Sequence, residues 1–151
     1  PARVVGMHFF NPAPLMKLVE VVKGEQTSDE AAQTVYDLCK QLNKTPVICK
    51  DAPGFIVNRV ARHYYLEAMN LVEQGNATIE NVDELMEATG FKMGPFKLMD
   101  LIGMDINLAV TQSLYHAFTG EERFKPSSLQ INKVAANELG KKTGKGFYNY
   151  T

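Results

Sequence analysis

The sequence predicts an α/β segment followed by an all-α domain. Three observations support this prediction: a strand, helix, strand succession within residues 1–50, a turn-rich junction directly after it, and helical periodicity in most of the remaining residues. The junction, at residues 50–54, combines Asp, Pro and Gly, which favour turns. We therefore predict two domains, residues 1–50 and residues 51–151.

Short runs of β-branched and aromatic residues predict strands at residues 3–10, 18–22 and 45–49. Before the third strand, residues 27–43 repeat apolar side chains with the helical period, and Thr27 to Glu30 have the form of a capping box. The last two strands and this helix form a βαβ unit. Three strands are too few for a complete doubly wound sheet.

The remaining residues predict five amphipathic helices. Their predicted extents are residues 55–74, 79–89, 95–103, a fourth helix capped by Asp105, and a fifth from a capping box at Ser127 to Gly140. Pro95 suits a first helical turn, and glycines come directly after several of the helices. The second domain is therefore predicted to be helical throughout.

The composition excludes several classes of protein. With 45% hydrophobic residues, 22% charged residues and a net charge of −1, the chain is typical of a globular protein and lacks the basic charge that nucleic acids require. No apolar run approaches the roughly 18 residues of a membrane span, and no basic segment precedes an apolar run, so we expect neither a membrane span nor a leader peptide. Cys39 and Cys49 suit buried free thiols rather than a metal site.

We expect a cytoplasmic or, alternatively, a mitochondrial-matrix location. The start at Pro1 is typical of a piece of a longer protein.

His8 and Glu20 form the most informative pair of polar residues. His8 lies in one apolar run and Glu20 in the next, and Pro12 and Pro14 stiffen the connection between them. If Glu20 accepts a hydrogen bond from one imidazole nitrogen, the tautomer is fixed and the other nitrogen can take a proton from a substrate hydroxyl. A lone histidine at a strand end is also typical of a structural residue, so both interpretations stay open on spacing alone.

Four blocks together carry a family resemblance. In order they are HFFNPAPLMKLVE at residues 8–20, DAPGFIVNR at 51–59, GPFKLMDLIG at 94–103 and KTGKGFY at 142–148. This succession resembles the L-3-hydroxyacyl-CoA dehydrogenases over essentially the whole chain, beginning partway through the family's pattern. The resemblance implies oxidation of an L-3-hydroxyacyl-CoA, such as 3-hydroxybutyryl-CoA, to the 3-ketoacyl-CoA with NAD, in fatty-acid or related acyl-CoA metabolism.

The resemblance also implies a role for each domain and for individual residues. Residues 1–50 would be the last βαβ part of a Rossmann-type NAD-binding domain, and the helices a substrate-binding domain that forms a homodimer. His8 would be the catalytic base and Glu20 its orienting partner. Asn58 would bind the substrate, and Asn11 would face both substrate and nicotinamide. From the residues alone, Asn58 also suits a helix start and Asn11 a turn before proline.

Other polar features favour structural interpretations. The chain contains no Gly-x-Gly-x-x-Gly after a strand, so the phosphate-binding half of the NAD site is expected outside it. Residues 141–146 could cradle a phosphate, but in the family this block is a turn that packs Phe147 and Tyr148 onto the helices. His63 and His116 are expected to be structural or surface residues. Two alternatives remain: a catalytically inert helical dimerisation module, and a related carbohydrate dehydrogenase, which the order HFFNP then LVE disfavours.

Overall fold

The structure is a computed structural model that describes residues 1–150. Within these residues there are three β-strands, six α-helices and two short 3₁₀ helices. In chain order they are β1 Gly6–Phe9, β2 Leu18–Lys23, α1 Asp29–Gln41, β3 Thr45–Lys50, α2 Val57–Glu73, α3 Ile79–Ala88, α4 Pro95–Ile102, α5 Met104–Ala117 and α6 Ser128–Ala135, with 3₁₀ turns at Glu122–Phe124 and Lys141–Thr143. The predicted order of a small sheet with one helix and then a mainly helical part is confirmed, although residues 140–149 also form two isolated β-bridges.

The chain divides into two compact units, and the first ends at Val57. Its sheet has the order β1-β2-β3, with β1 antiparallel to β2 and β2 parallel to β3. The connection between the parallel strands is α1, which packs against both of them. The predicted βαβ unit is therefore present.

The core of the first unit lies between this sheet and α1. Val19, Val21 and Cys39 are fully buried there, and Cys49 is also buried. Both thiols are free, as the sequence predicts, and burial raises the pKa of each.

Two predicted details of the first unit are wrong. The helix cap is Ser28, which accepts a hydrogen bond from Ala31 N at 3.1 Å, because the Thr27 hydroxyl instead donates to Val4 O at 2.6 Å. The first strand is predicted from residue 3 but begins at Gly6, since Val4 N donates to Pro1 O in a preceding turn. The Thr27 bond thus fastens the approach to β1 onto the start of α1.

The second unit begins at Asn58 and has its own core. Its fully buried centre comprises large apolar side chains from α2, α4 and α5, namely Met69, Phe96, Met99 and Met104. Phe147 packs edge-on against Phe96 at 4.8 Å, and Asp100 accepts hydrogen bonds from the backbone N–H groups of Phe147 and Tyr148 at 2.9 and 3.0 Å. The predicted closing turn at the C-terminal end is therefore confirmed.

Several helix ends differ from the prediction. Asp105 does not cap α5, because Gly103, with φ of 103°, ends α4 and starts α5 in a conformation that suits glycine. The last helix stops at Ala135 rather than at Gly140, and Asn137 follows in the left-handed region with φ of 56°. The capping box at Ser127 is confirmed. None of the helices that residues 1–150 form is long and apolar enough to span a bilayer.

Candidate active site

His8 and Glu20 face each other across the antiparallel pair β1 and β2. The two residues are direct partners in the strand register, and His8 Nδ1 lies 2.7 Å from Glu20 Oε2. The prediction that they lie within hydrogen-bonding reach is confirmed. Because a carboxylate can only accept, Nδ1 of the neutral imidazole carries the hydrogen and Nε2 keeps its lone pair. The His8 side chain is 31% exposed and that of Glu20 only 1%, so a ligand can reach the imidazole but not the carboxylate.

The start of α2 holds the second carboxylate oxygen of Glu20. Oε1 accepts hydrogen bonds from the backbone N–H groups of Ile56 and Val57, both at 2.9 Å. A helix N-terminus has unpaired N–H groups and a partial positive charge, which stabilise a carboxylate. Burial of this carboxylate is therefore compensated by three hydrogen bonds, which fix its orientation.

Two aromatic rings contact the His8 imidazole. The Phe10 ring lies edge-on with its centroid 4.8 Å away, and the Phe55 ring is tilted at 5.4 Å. A cavity of about 830 Å³ opens beside His8 and is lined by both apolar and polar residues. The side chains that line it include Val4, Met7, Val22, Phe55, Glu25, Gln26 and Asp51.

Asn11 is exposed in the loop between β1 and β2. The Asn11–Pro12 peptide bond is cis, and Pro12 O accepts hydrogen bonds from two later N–H groups of the loop, each at 3.0 Å. Lys44 donates from Nζ to Ala13 O at 2.6 Å and to Met16 O at 2.9 Å, and so holds the loop from outside it. In the sequence, nothing distinguishes this lysine from a surface lysine before a strand.

The other candidate residues lie in the second unit. Asn58 is the second residue of α2 and is half-buried. His63 and His116 are both exposed, on α2 and α5. Among the residues that the structure describes, no group of three or more His, Cys, Asp or Glu side chains is placed to hold a metal ion.

Family models match both parts of the chain. Residues 1–52 match the model described as 3-hydroxyacyl-CoA dehydrogenase, NAD binding domain. Residues 54–150 match that described as 3-hydroxyacyl-CoA dehydrogenase, C-terminal domain. The chain belongs to the 3-hydroxyacyl-CoA dehydrogenase family. The resemblance seen in the four sequence blocks is thus confirmed.

Individual relatives agree with this family. The chain is 51% identical to 3-hydroxyadipyl-CoA dehydrogenase of Escherichia coli over 99% of its own length and 32% of that protein. It is 46% identical to mitochondrial hydroxyacyl-coenzyme A dehydrogenase of Mus musculus, over 98% of this chain and 48% of that one. The chain therefore spans about a third to a half of the length of these relatives.

Solved structures share the fold of this family member. A crystal structure of 3-hydroxybutyryl-CoA dehydrogenase from Escherichia coli has a TM-score of 0.96 and 50% identity, over 99% of this chain and 32% of that one. The structure of (S)-3-hydroxybutyryl-CoA dehydrogenase from Ralstonia eutropha has a TM-score of 0.92 and 44% identity, over 97% of this chain and 52% of that one. The fold of this chain therefore has close counterparts among known family members.

Proposed function

We propose that the protein containing this chain oxidises an L-3-hydroxyacyl-CoA to the 3-ketoacyl-CoA with NAD. The observation that supports this most directly is the His8–Glu20 hydrogen bond of 2.7 Å, which leaves Nε2 of a partly exposed imidazole free to accept a proton. The names of the relatives, which include 3-hydroxybutyryl-CoA and 3-hydroxyadipyl-CoA dehydrogenases, support a 3-hydroxyacyl-CoA as the substrate class.

In the proposed reaction, His8 Nε2 removes the proton from the substrate hydroxyl. The positive charge that develops on the imidazole is stabilised by Glu20, whose own charge is held by the N–H groups of Ile56 and Val57. The chemistry that NAD supplies when bound is acceptance of the hydride from carbon 3. In the reverse direction, His8 returns the proton to the oxygen of the substrate.

Two asparagines are proposed to bind ligands. Asn58 would donate from its side-chain amide to the acyl carbonyl oxygen, and Asn11 would face the nicotinamide and the substrate. The exposed Asn11 and the accessible edge of His8 suit the nicotinamide end of NAD. The 151 residues contain no glycine-rich phosphate-binding turn, so in this chain only the nicotinamide end has candidate residues.

A His8→Gln variant of the full-length protein tests this proposal. With acetoacetyl-CoA and NADH as substrates, loss of the base should lower kcat by about 10²- to 10⁴-fold. His63→Gln is the matched control, because His63 is an exposed histidine of the second unit. If the His8 variant keeps its rate, or if the wild-type protein does not turn over 3-ketoacyl-CoA substrates, the proposed function is wrong.

A role in assembly is proposed alongside catalysis, as a homodimer formed through the helical unit. Leu101, Ile102 and Ile106 are 51%, 37% and 50% exposed, although all are large apolar side chains on α4 and α5. A cluster of this kind on a helical surface favours burial by a partner. This observation also supports the alternative of a helical dimerisation module without catalysis, which the turnover assay distinguishes.

A further inference from the structure

We propose that Phe55 is a positioning residue for His8: its ring keeps the imidazole turned toward Glu20. The inference rests on the proposed function of the His8–Glu20 pair. Phe55 lies in the second of the four sequence blocks, but the resemblance assigns it no role there.

The backbone of Phe55 is in an unfavourable conformation. Its φ is 46°, in the left-handed region, and it follows Gly54 with φ of 74°. Glycine adopts this region freely, whereas a bulky residue does so at a cost and is uncommon there. Phe55 N donates to Ala52 O at 2.9 Å, which helps to hold the turn. Glycine would adopt this backbone conformation without strain. The chain nevertheless has phenylalanine at position 55, which indicates that the phenyl ring itself has a role.

The turn at Gly54 and Phe55 has two effects on the site. The next two N–H groups, of Ile56 and Val57, converge on Glu20 Oε1 at 2.9 Å each. The Phe55 ring is placed with its centroid 5.4 Å from that of His8. One short segment therefore fixes both members of the pair, the carboxylate through its backbone and the imidazole through its side chain.

Contact with the ring restricts how the imidazole can rotate. His8 is on a strand, and its side chain is 31% exposed. In the described structure, the hydrogen bond to Glu20 is the one hydrogen bond that this side chain makes. Phe10 contacts the same imidazole at 4.8 Å. Without Phe55, rotation about the Cβ–Cγ bond would meet one aromatic neighbour instead of two, and conformations with Nδ1 turned away from Glu20 would become populated.

Three substitutions in the full-length protein separate the ring from the backbone. Phe55→Gly removes the ring and also relieves the strain, Phe55→Leu removes the ring and keeps the strain, and Phe55→Tyr keeps both. If the ring positions His8, kcat should fall by about 10- to 100-fold in the Gly and Leu variants, and stay within about twofold of wild type in the Tyr variant. KM for the acyl-CoA should change little, because the ring acts on His8 rather than on the substrate. Thermal unfolding establishes that each variant is folded at the assay temperature.

A purely structural role predicts a different result. In that case the folded Gly variant would keep the wild-type kcat, and this outcome would overturn the proposal. A Tyr variant as slow as the Leu variant would overturn it too. A raised KM with unchanged kcat would also overturn it, by showing that Phe55 contacts substrate instead.

A second measurement does not depend on turnover. In protein with ¹⁵N-labelled imidazole rings, NMR should show one hydrogen-bonded Nδ1–H for His8 in the wild type and the Tyr variant, identified by its loss in His8→Gln. The same signal should broaden or disappear in the Gly and Leu variants. An unchanged signal in those variants refutes the role of Phe55, whereas an inactive wild-type protein with the expected signals refutes only the proposed function.

Discussion

Replacing Glu20 with glutamine should abolish base catalysis while keeping the size of the side chain. In the wild-type protein, one carboxylate oxygen accepts from Ile56 N and Val57 N and the other accepts from His8 Nδ1. The glutamine oxygen must stay with the two backbone donors, because the amide nitrogen cannot accept from them. The NH₂ group then points at His8, and the imidazole can pair with it only by moving its hydrogen from Nδ1 to Nε2. In that tautomer Nε2 cannot accept a proton from a substrate.

The expected loss in kcat is therefore the full contribution of the base, about 10²- to 10⁴-fold. This range corresponds to about 3–5 kcal/mol of transition-state stabilisation. The free energy of unfolding should change by less than this loss of transition-state stabilisation. The variant keeps the two hydrogen bonds from Ile56 N and Val57 N, but both lose their ionic character, so the free energy of unfolding should fall by about 1–2 kcal/mol.

The assay is steady-state oxidation of NADH by acetoacetyl-CoA in the full-length protein, with kcat and KM determined separately. Glu30→Gln is the matched control, since Glu30 is exposed in the first turn of α1. Thermal unfolding of both variants excludes loss of the fold as the cause. A Glu20→Gln enzyme that is folded and within about threefold of the wild-type kcat would refute the argument, because the tautomer change forbids such a rate.

Four further outcomes are expected. Asp100→Ala removes the acceptor of two backbone N–H groups and a tyrosine hydroxyl at the C-terminal turn, so denaturant unfolding should show that the free energy of unfolding falls by about 3–5 kcal/mol. A fall below about 1 kcal/mol would show that Asp100 does not hold the C-terminal turn in place. Burial raises the pKa of Glu73, but hydrogen bonds from two serine hydroxyls and the backbone at the start of α6 outweigh it and lower that pKa below 4.5. Its stabilising effect should be complete above about pH 4.5 and decline as the pH falls through the lower folded value, so the Tm of Glu73→Gln should depend less on acid pH than that of wild type. Sedimentation should show a dimer, and the double variant Leu101→Glu with Ile106→Glu should be a monomer. Leu85→Glu, also at an exposed position, should leave the dimer intact, and a monomeric wild type would refute the interface. Calorimetry of the 151-residue chain alone should show negligible NAD binding, because the pyrophosphate needs a glycine-rich turn that these residues lack, and micromolar affinity would contradict this.

The His8–Glu20 contact was predictable because it depends on local features. Both residues lie in recognisable strands, and the proline-containing loop between them suits an antiparallel connection. The hydrogen bonds that orient Glu20 were not predictable in the same way. They depend on a turn directly before α2 in which Phe55 is in the left-handed region, and backbone preferences argue against this conformation for any bulky residue.

Helical periodicity locates α2 and most of its buried and partly buried side chains, including Ala61, Tyr64, Ala68 and Val72, but it misjudges Val60 and misses Arg62. The apolar pattern places Val60 inward, yet Val60 is 67% exposed and Arg62 is 3% exposed. Arg62 is buried because it donates to Asn107 O and to the Thr111 hydroxyl, both at 2.8 Å, and burial lowers its pKa to about 10. A pattern that scores only apolar residues cannot identify a side chain whose burial depends on polar partners 45 or more positions away.

Proximity and orientation in the His8–Glu20 pair have separate structural origins. The strand pairing sets proximity, because it places the two residues directly opposite each other. It does not set orientation, since a carboxylate held by one hydrogen bond can rotate about its terminal bond and offer either oxygen. The N–H groups of Ile56 and Val57 remove this freedom by holding Oε1, so only Oε2 is available to His8. The orientation of the carboxylate toward His8 is therefore determined by the turn that leads into α2, 36 residues beyond Glu20, and changes in that turn should alter proton transfer without touching either member of the pair.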